Sequence, residues 1–150
     1  MKQTRAMMGA GLLAVFALAG CTAPEAAPTP SDAGARAEAR DRVATLVASL
    51  APQEDSFGFA REATAAAAEG VELIGVESSP AEPGDAFGSL SFRVAVDASS
   101  FPDVTDLPAA YCFLVPFAGS GPAAGAEDGG VEQIDCPADA TVITPPPAQE

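Results

Sequence analysis

The chain has 150 residues and a formal charge of −14, with seven basic and 21 acidic side chains. That balance argues against nucleic acid, whose binding needs Lys and Arg to neutralise phosphates, and against a domain lying flat on anionic lipid. The chain has no His and no Trp, and its one Lys is Lys2, which removes the usual general base, Schiff-base chemistry and the commonest metal ligand together.

Met1–Gly20 has the layout of an export signal. Lys2 and Arg5 form a positive start, and Ala6–Ala19 is an apolar run of 14 residues. A membrane-spanning helix needs about 20, so this run is too short for a permanent span. Leu18, Ala19, Gly20 and Cys21 follow. These four residues resemble the lipobox of bacterial lipoproteins, in which small residues precede a cysteine. The resemblance covers the first 21 residues and implies nothing about the domain behind them. It implies that Cys21 Sγ receives a diacylglyceryl group and that cleavage falls between Gly20 and Cys21. Two acyl chains suffice for stable anchoring, where one is marginal. The lipid of the membrane is thus the partner expected at Cys21. Removal of Lys2 and Arg5 would leave five Arg as the only basic side chains and a charge of about −16. The Ala-, Arg- and Pro-rich, Lys-poor composition is also similar to that of small lipoproteins of high-GC actinobacteria.

Residues 21–34 read as a tether. Pro24, Pro28 and Pro30 stand among Ala, Thr and Ser, a composition that cannot bury a core and favours extended geometry. At roughly 3 Å per residue it reaches at most about 40 Å. One domain is expected over 35–143, followed by a disordered tail at 144–150. No internal repeat is visible.

Within the domain, Ala35–Leu50 is expected to be a helix. Val43, Leu46, Val47 and Leu50 mark one face, and Glu38 with Arg42 forms an i,i+4 pair on another. Pro52 ends it. Asp55 or Ser56 is a cap for a second helix reaching Glu69, with Gly70 as its stop. Val71–Glu77 reads as a strand. Ser89–Asp97 alternates, with Leu90, Phe92, Val94 and Val96 on one side and Ser91, Arg93 and Asp97 on the other, the pattern of a half-buried strand. Ala110–Phe117 is apolar on both faces and suits a central position. Val131–Cys136 is another strand, and Thr141–Thr144 a short last one. The fold class is therefore α+β: one or two N-terminal helices on an antiparallel sheet of about four strands. That order of elements is similar to the cystatin-like arrangement.

With Cys21 lipidated, Cys112 and Cys136 remain to form a disulfide, as two cysteines in an exported domain usually do. The simplest register puts Cys112 opposite Cys136 and Leu114 opposite Ile134. A redox-active pair is disfavoured, because the spacing is unlike C-x-x-C.

No catalytic residues, metal site or cofactor are expected. Carboxylate chemistry of the glycosidase kind would need a defined acidic pair, and nothing singles one out. Asp97, Asp103 and Asp106 fall in one link and could hold Ca²⁺, but their spacing does not match the D-x-D-x-D-G pattern, and Asp and Pro are common in turns. Phe57-Gly58-Phe59 is either an exposed contact or a core pair at a helix start. The expected function is a membrane-anchored, extracytoplasmic, non-catalytic lipoprotein that binds another envelope protein. It would sit on the outer face of the membrane, or on the periplasmic side where a cell has two. The alternative is a receptor for a small ligand or Ca²⁺.

Overall fold

In the computed structural model, residues 31–82, 84–123 and 130–148 are described. The export signal, Cys21 and most of the tether lie outside them.

Two helices come first. Helix α1 spans Ala33–Ala48 and buries Ala35, Ala39, Val43, Leu46 and Val47, positions spaced to form one stripe at 3.6 residues per turn. It begins two residues before the expected Ala35. Ser49 closes it, its hydroxyl donating to Leu46 O at 2.6 Å, ahead of Pro52. Helix α2 spans Ser56–Ala66. Asp55 caps it by accepting from Gly58 N at 2.6 Å, which satisfies one of the orphan N–H groups of the first turn. Gly58 is buried, and a Cβ there would lie 2.8 Å from Gln53 Oε1. Ala60 and Ala63 let the helix sit close on the sheet.

α2 stops at Ala66, short of the expected Glu69. Ala67 already has extended geometry, with φ −59° and ψ 129°. Gly70, expected to stop the helix, has φ +78° and serves instead the turn into the first strand, where Val71 N donates to Ala68 O at 3.1 Å. Arg42, expected to pair with Glu38, donates to Glu69 O. A side chain of α1 thus supplies a donor to the turn between α2 and the first strand.

The sheet is antiparallel. Strands β1 (Val71–Ser78), β2 (Gly88–Ala95) and β3 (Ala110–Ala118) form a meander. β3 pairs on its far side with the short β4 (Gly121–Pro122) and with β5 (Glu132–Ile134). β2 forms because Leu90, Phe92 and Val94 alternate with Ser89, Ser91 and Arg93, giving it one apolar face, whereas β3 is apolar on both faces and takes the central position. Leu90, Phe92 and Val94 on β2, with Tyr111, Phe113, Val115 and Phe117 on β3, face the helices and are buried. Phe59 of α2 docks on this layer. Its ring centroid lies 4.3 Å from that of Phe117 and 6.0 Å from that of Phe87. Burying such a side chain is worth about 1.5–3 kcal/mol. Gly88 sits where β2 meets the start of α2. A Cβ there would overlap both Ser56 Oγ and Glu77 O, so the close approach of helix and strand requires glycine.

The opposite face of the sheet is polar in its middle. Glu72, Arg93, Cys112 and Ile134 occupy one row across β1, β2, β3 and β5. Glu72 and Arg93 form an ion pair at 2.7 Å.

After β5 the chain crosses this row as a strap. Cys136 is bonded to Cys112. Arg93 donates to Ala140 O at 3.4 Å, Ile143 N donates to Leu73 O at 2.8 Å, and Arg61 of α2 donates to Pro146 O at 3.5 Å. Thr141–Thr144, expected as a strand, is this crossing segment. It runs over the sheet and makes one backbone bond to it. Residues 144–148, expected in a disordered tail, continue the strap against α2, with Pro145 half-buried.

Candidate functional site

The residue singled out most sharply by the sequence, Cys21, lies outside the described residues. Among those residues no helix is long and apolar enough to cross a membrane.

Cys112 and Cys136 do form a disulfide, with Cα atoms 5.1 Å apart. The expected register is corrected. Cys112 pairs with Ile134, and Leu114 with Glu132. Continuing that ladder sets Cys136 opposite Ala110, and Cys136 Sγ lies 3.9 Å from Ala110 O. The bridge is therefore diagonal. A shift of two residues keeps every side chain on the same face, so the pairing survives the change of register. Cys112 is 1% exposed while Cys136 is exposed, and the bond fixes the root of the strap to the central strand.

The point where the chain enters the domain is also tied to β3. Tyr111 Oη donates to Asp32 Oδ2 at 2.8 Å, and Arg36 bridges the same carboxylate at 2.6 Å. The Tyr111 hydroxyl, and secondarily Arg36, hold the Asp32 carboxyl below the usual carboxylate range. Burial, then the neighbouring carboxylate, pushes the Tyr111 phenol up. Asp32 stands at the N-terminal boundary of α1, where a negative charge also meets the positive end of the helix dipole.

In the acidic link, Asp97 serves a turn. Asp97 accepts from Ser99 N at 2.9 Å, Ser99 Oγ at 2.7 Å and Ser100 Oγ at 3.3 Å, capping a short 3-10 turn at Ala98–Ser100. The Ser99 hydroxyl chiefly, with its amide, holds the Asp97 carboxyl below its ordinary range. Among the described residues, no three His, Cys, Asp or Glu side chains gather to hold a metal ion.

The aromatic pair divides its two roles. Phe59 is fully buried, whereas Phe57 is 42% exposed at the first turn of α2. Phe57 lines a cleft with Asp55, Arg61, Pro146, Pro147 and Ala148, so the strap lies beside it. A separate groove of about 530 Å³ lies between α1 and the turn into β1. Leu46, Ala66, Ala68 and Val71 form its apolar part, with Glu38, Asp41 and Arg42 also lining it. The sequence reading missed this groove, because its lining comes from two helices and a turn that share no local motif.

Comparison with known proteins finds no match to the chain among protein-family models, curated proteins or solved structures.

Proposed function

We propose that the protein is a membrane-anchored lipoprotein of the cell envelope, non-catalytic, whose acidic domain binds another envelope protein. The observation that carries the reading is Leu18-Ala19-Gly20-Cys21 directly after a positive start and a short apolar run. The lack of catalytic residue types supports the non-catalytic part. After Cys21 the chain has neither His nor Lys, so a Ser–His or Ser–Lys nucleophile has no base. The disulfide suits an oxidising compartment. A proline-rich tether in front of the domain would hold a strongly acidic body away from acidic lipid.

Fractionation of cells carrying the Cys21→Ala chain tests the anchor. The wild-type chain is expected in the membrane fraction and the variant in the soluble extracytoplasmic fraction or the medium. A variant still firmly in the membrane fraction would sink the lipid assignment. In-cell photo-cross-linking then tests the interaction role. Amine-reactive reagents are unsuitable, because the processed chain has no Lys side chain.

The groove between α1 and β1 favours a second reading, a receptor for a small apolar ligand. A ligand that binds the native state raises Tm. A shift that depends on the groove, and is lost in Leu46→Asp, would move this reading ahead of the first.

A further inference from the structure

The outer edge of β1 is held by the strap in a way that leaves most of its backbone open. In an antiparallel pair, the backbone groups of alternate residues point to the partner or away from it. Ala95 N donates to Gly70 O at one end of the β1–β2 ladder, and Ser79 N to Phe87 O at the other. With the register shift between Leu73 and Gly75, these bonds turn Leu73, Val76 and Ser78 toward the free edge. Leu73 O takes its bond from Ile143 N. Among the described residues no backbone donor or acceptor meets the outward groups of Val76 and Ser78.

Beyond Thr144 the strap has no donor to offer the outward carbonyls, because Pro145, Pro146 and Pro147 have no N–H, and among the described residues its carbonyls take no N–H of the edge. These residues instead lead toward the first turn of α2, where Arg61 reaches Pro146 O and Phe57 lines the cleft beside Pro146 and Pro147. That turn stands at the Ser78 end of β1: Ser56 Oγ donates to Phe87 O at 3.5 Å, and Ser78 pairs with Gly88. The strap therefore accompanies the edge without adding to the sheet.

We infer that the edge of β1 at Val76–Ser78 is a docking lane for an extended partner segment, and that the strap, bonded to the same edge at Leu73, yields when such a segment pairs there. The inference rests on the interaction-module reading and gives the partner a chemistry. An added strand with N–H groups in register would satisfy edge groups that the strap leaves open. Such a segment would be free of proline over its pairing residues. It would also carry Lys or Arg, since the exposed Glu77 lies on this stretch and the chain is strongly acidic. The register shift limits pairing to a short stretch beyond Gly75. Beyond Cys136 the described strap is held by three hydrogen bonds, two of them at 3.4 and 3.5 Å, and by Ile143 packed at the border of the core, so displacement must free that one side chain as well. The disulfide keeps the root in place while the rest swings away.

The test is residue-resolved amide exchange on the full chain with a capped hexapeptide of alternating valine and lysine as probe. In the free chain, Val76 and Ser78 are expected to exchange at least tenfold faster than Phe92 and Val115. Millimolar probe is expected to slow Val76 and Ser78 at least fivefold and to speed Ile143. A control with proline in place of each valine is expected to change nothing. Val76 and Ser78 as slow as Phe92 in the free chain would overturn the inference. So would their indifference to the probe, an unchanged Ile143, or an equal effect of the control. The readout does not depend on what is attached at Cys21, so failure of the lane and failure of the anchor are separately visible.

Discussion

Tyr111 and Asp32, 79 residues apart in the chain, meet through a hydrogen bond of 2.8 Å that fastens the start of α1 to the central strand. Asp32 lies near the end of the segment read as a tether, so this bond is the first described point at which a pull along that segment reaches the sheet. The pair also gives the domain a pH signature. The Asp32 carboxyl is more acidic in the folded than in the unfolded chain. The unfolded chain therefore takes up the proton first on acidification. This contribution to stability is present above about pH 4 and is lost as pH falls through the folded value. The Tyr111 phenol is shifted up. Its contribution is present below about pH 10 and lost as pH rises through the folded value. Tyr111→Phe is expected to lower Tm at neutral pH and to flatten both limbs of the Tm–pH profile. A profile identical to that of the wild-type chain would show that the bond carries no stability.

The disulfide closes a separation of 24 residues. In the chain-entropy model this stabilises by about 3 kcal/mol, a large share for a domain of this size. Reduction, or Cys136→Ser, is expected to lower Tm by roughly 10–20 °C. The native chain with Cys21 acylated is expected to show no titratable thiol. Thermal melts with and without reductant, beside a thiol count on the unfolded chain, check both statements.

Phe57 and Phe59 are two residues apart and differ entirely in environment. Phe59→Ala removes a ring packed on Phe117 and leaves a cavity in the core, a change that costs about 3–5 kcal/mol. Phe57→Ala acts at an exposed site and is expected to change stability by less than about 1 kcal/mol. Denaturant melts of the two variants, compared at equal slope, separate these expectations. Similar losses would place both rings in the core.

What the sequence revealed, and what it hid, follows from the range of each signal. Leu90, Phe92 and Val94 alternate with Ser91 and Arg93, and that local pattern was enough to place β2 and its buried face. The Asp55 cap was likewise legible, because it works within one turn. The cysteine register was not. Cys112 opposite Ile134 and Cys112 opposite Cys136 give the same in–out pattern, and a pattern with period two cannot distinguish registers that differ by two. The end of α2 was misjudged because Ala67, Ala68 and Glu69 all suit a helix. The chain turns extended at Ala67, and the turn that follows is bonded by Arg42 of another helix at Glu69 O, a contact no local pattern reveals. The strap was hidden for the same reason. Thr141–Thr144 has β-forming residues, but its place across the sheet depends on Arg93, Leu73 and the disulfide. The groove between α1 and β1 has no local motif.

The proposed lipid on Cys21 is open to intact-mass and N-terminal peptide mass spectrometry of the chain isolated from its native membrane. A mature chain beginning at Cys21 is expected, heavier than the bare polypeptide by a diacylglyceryl group, with Cys112 and Cys136 still joined. A chain that retains Met1, or one that begins elsewhere with an unmodified Cys21 thiol, would contradict it.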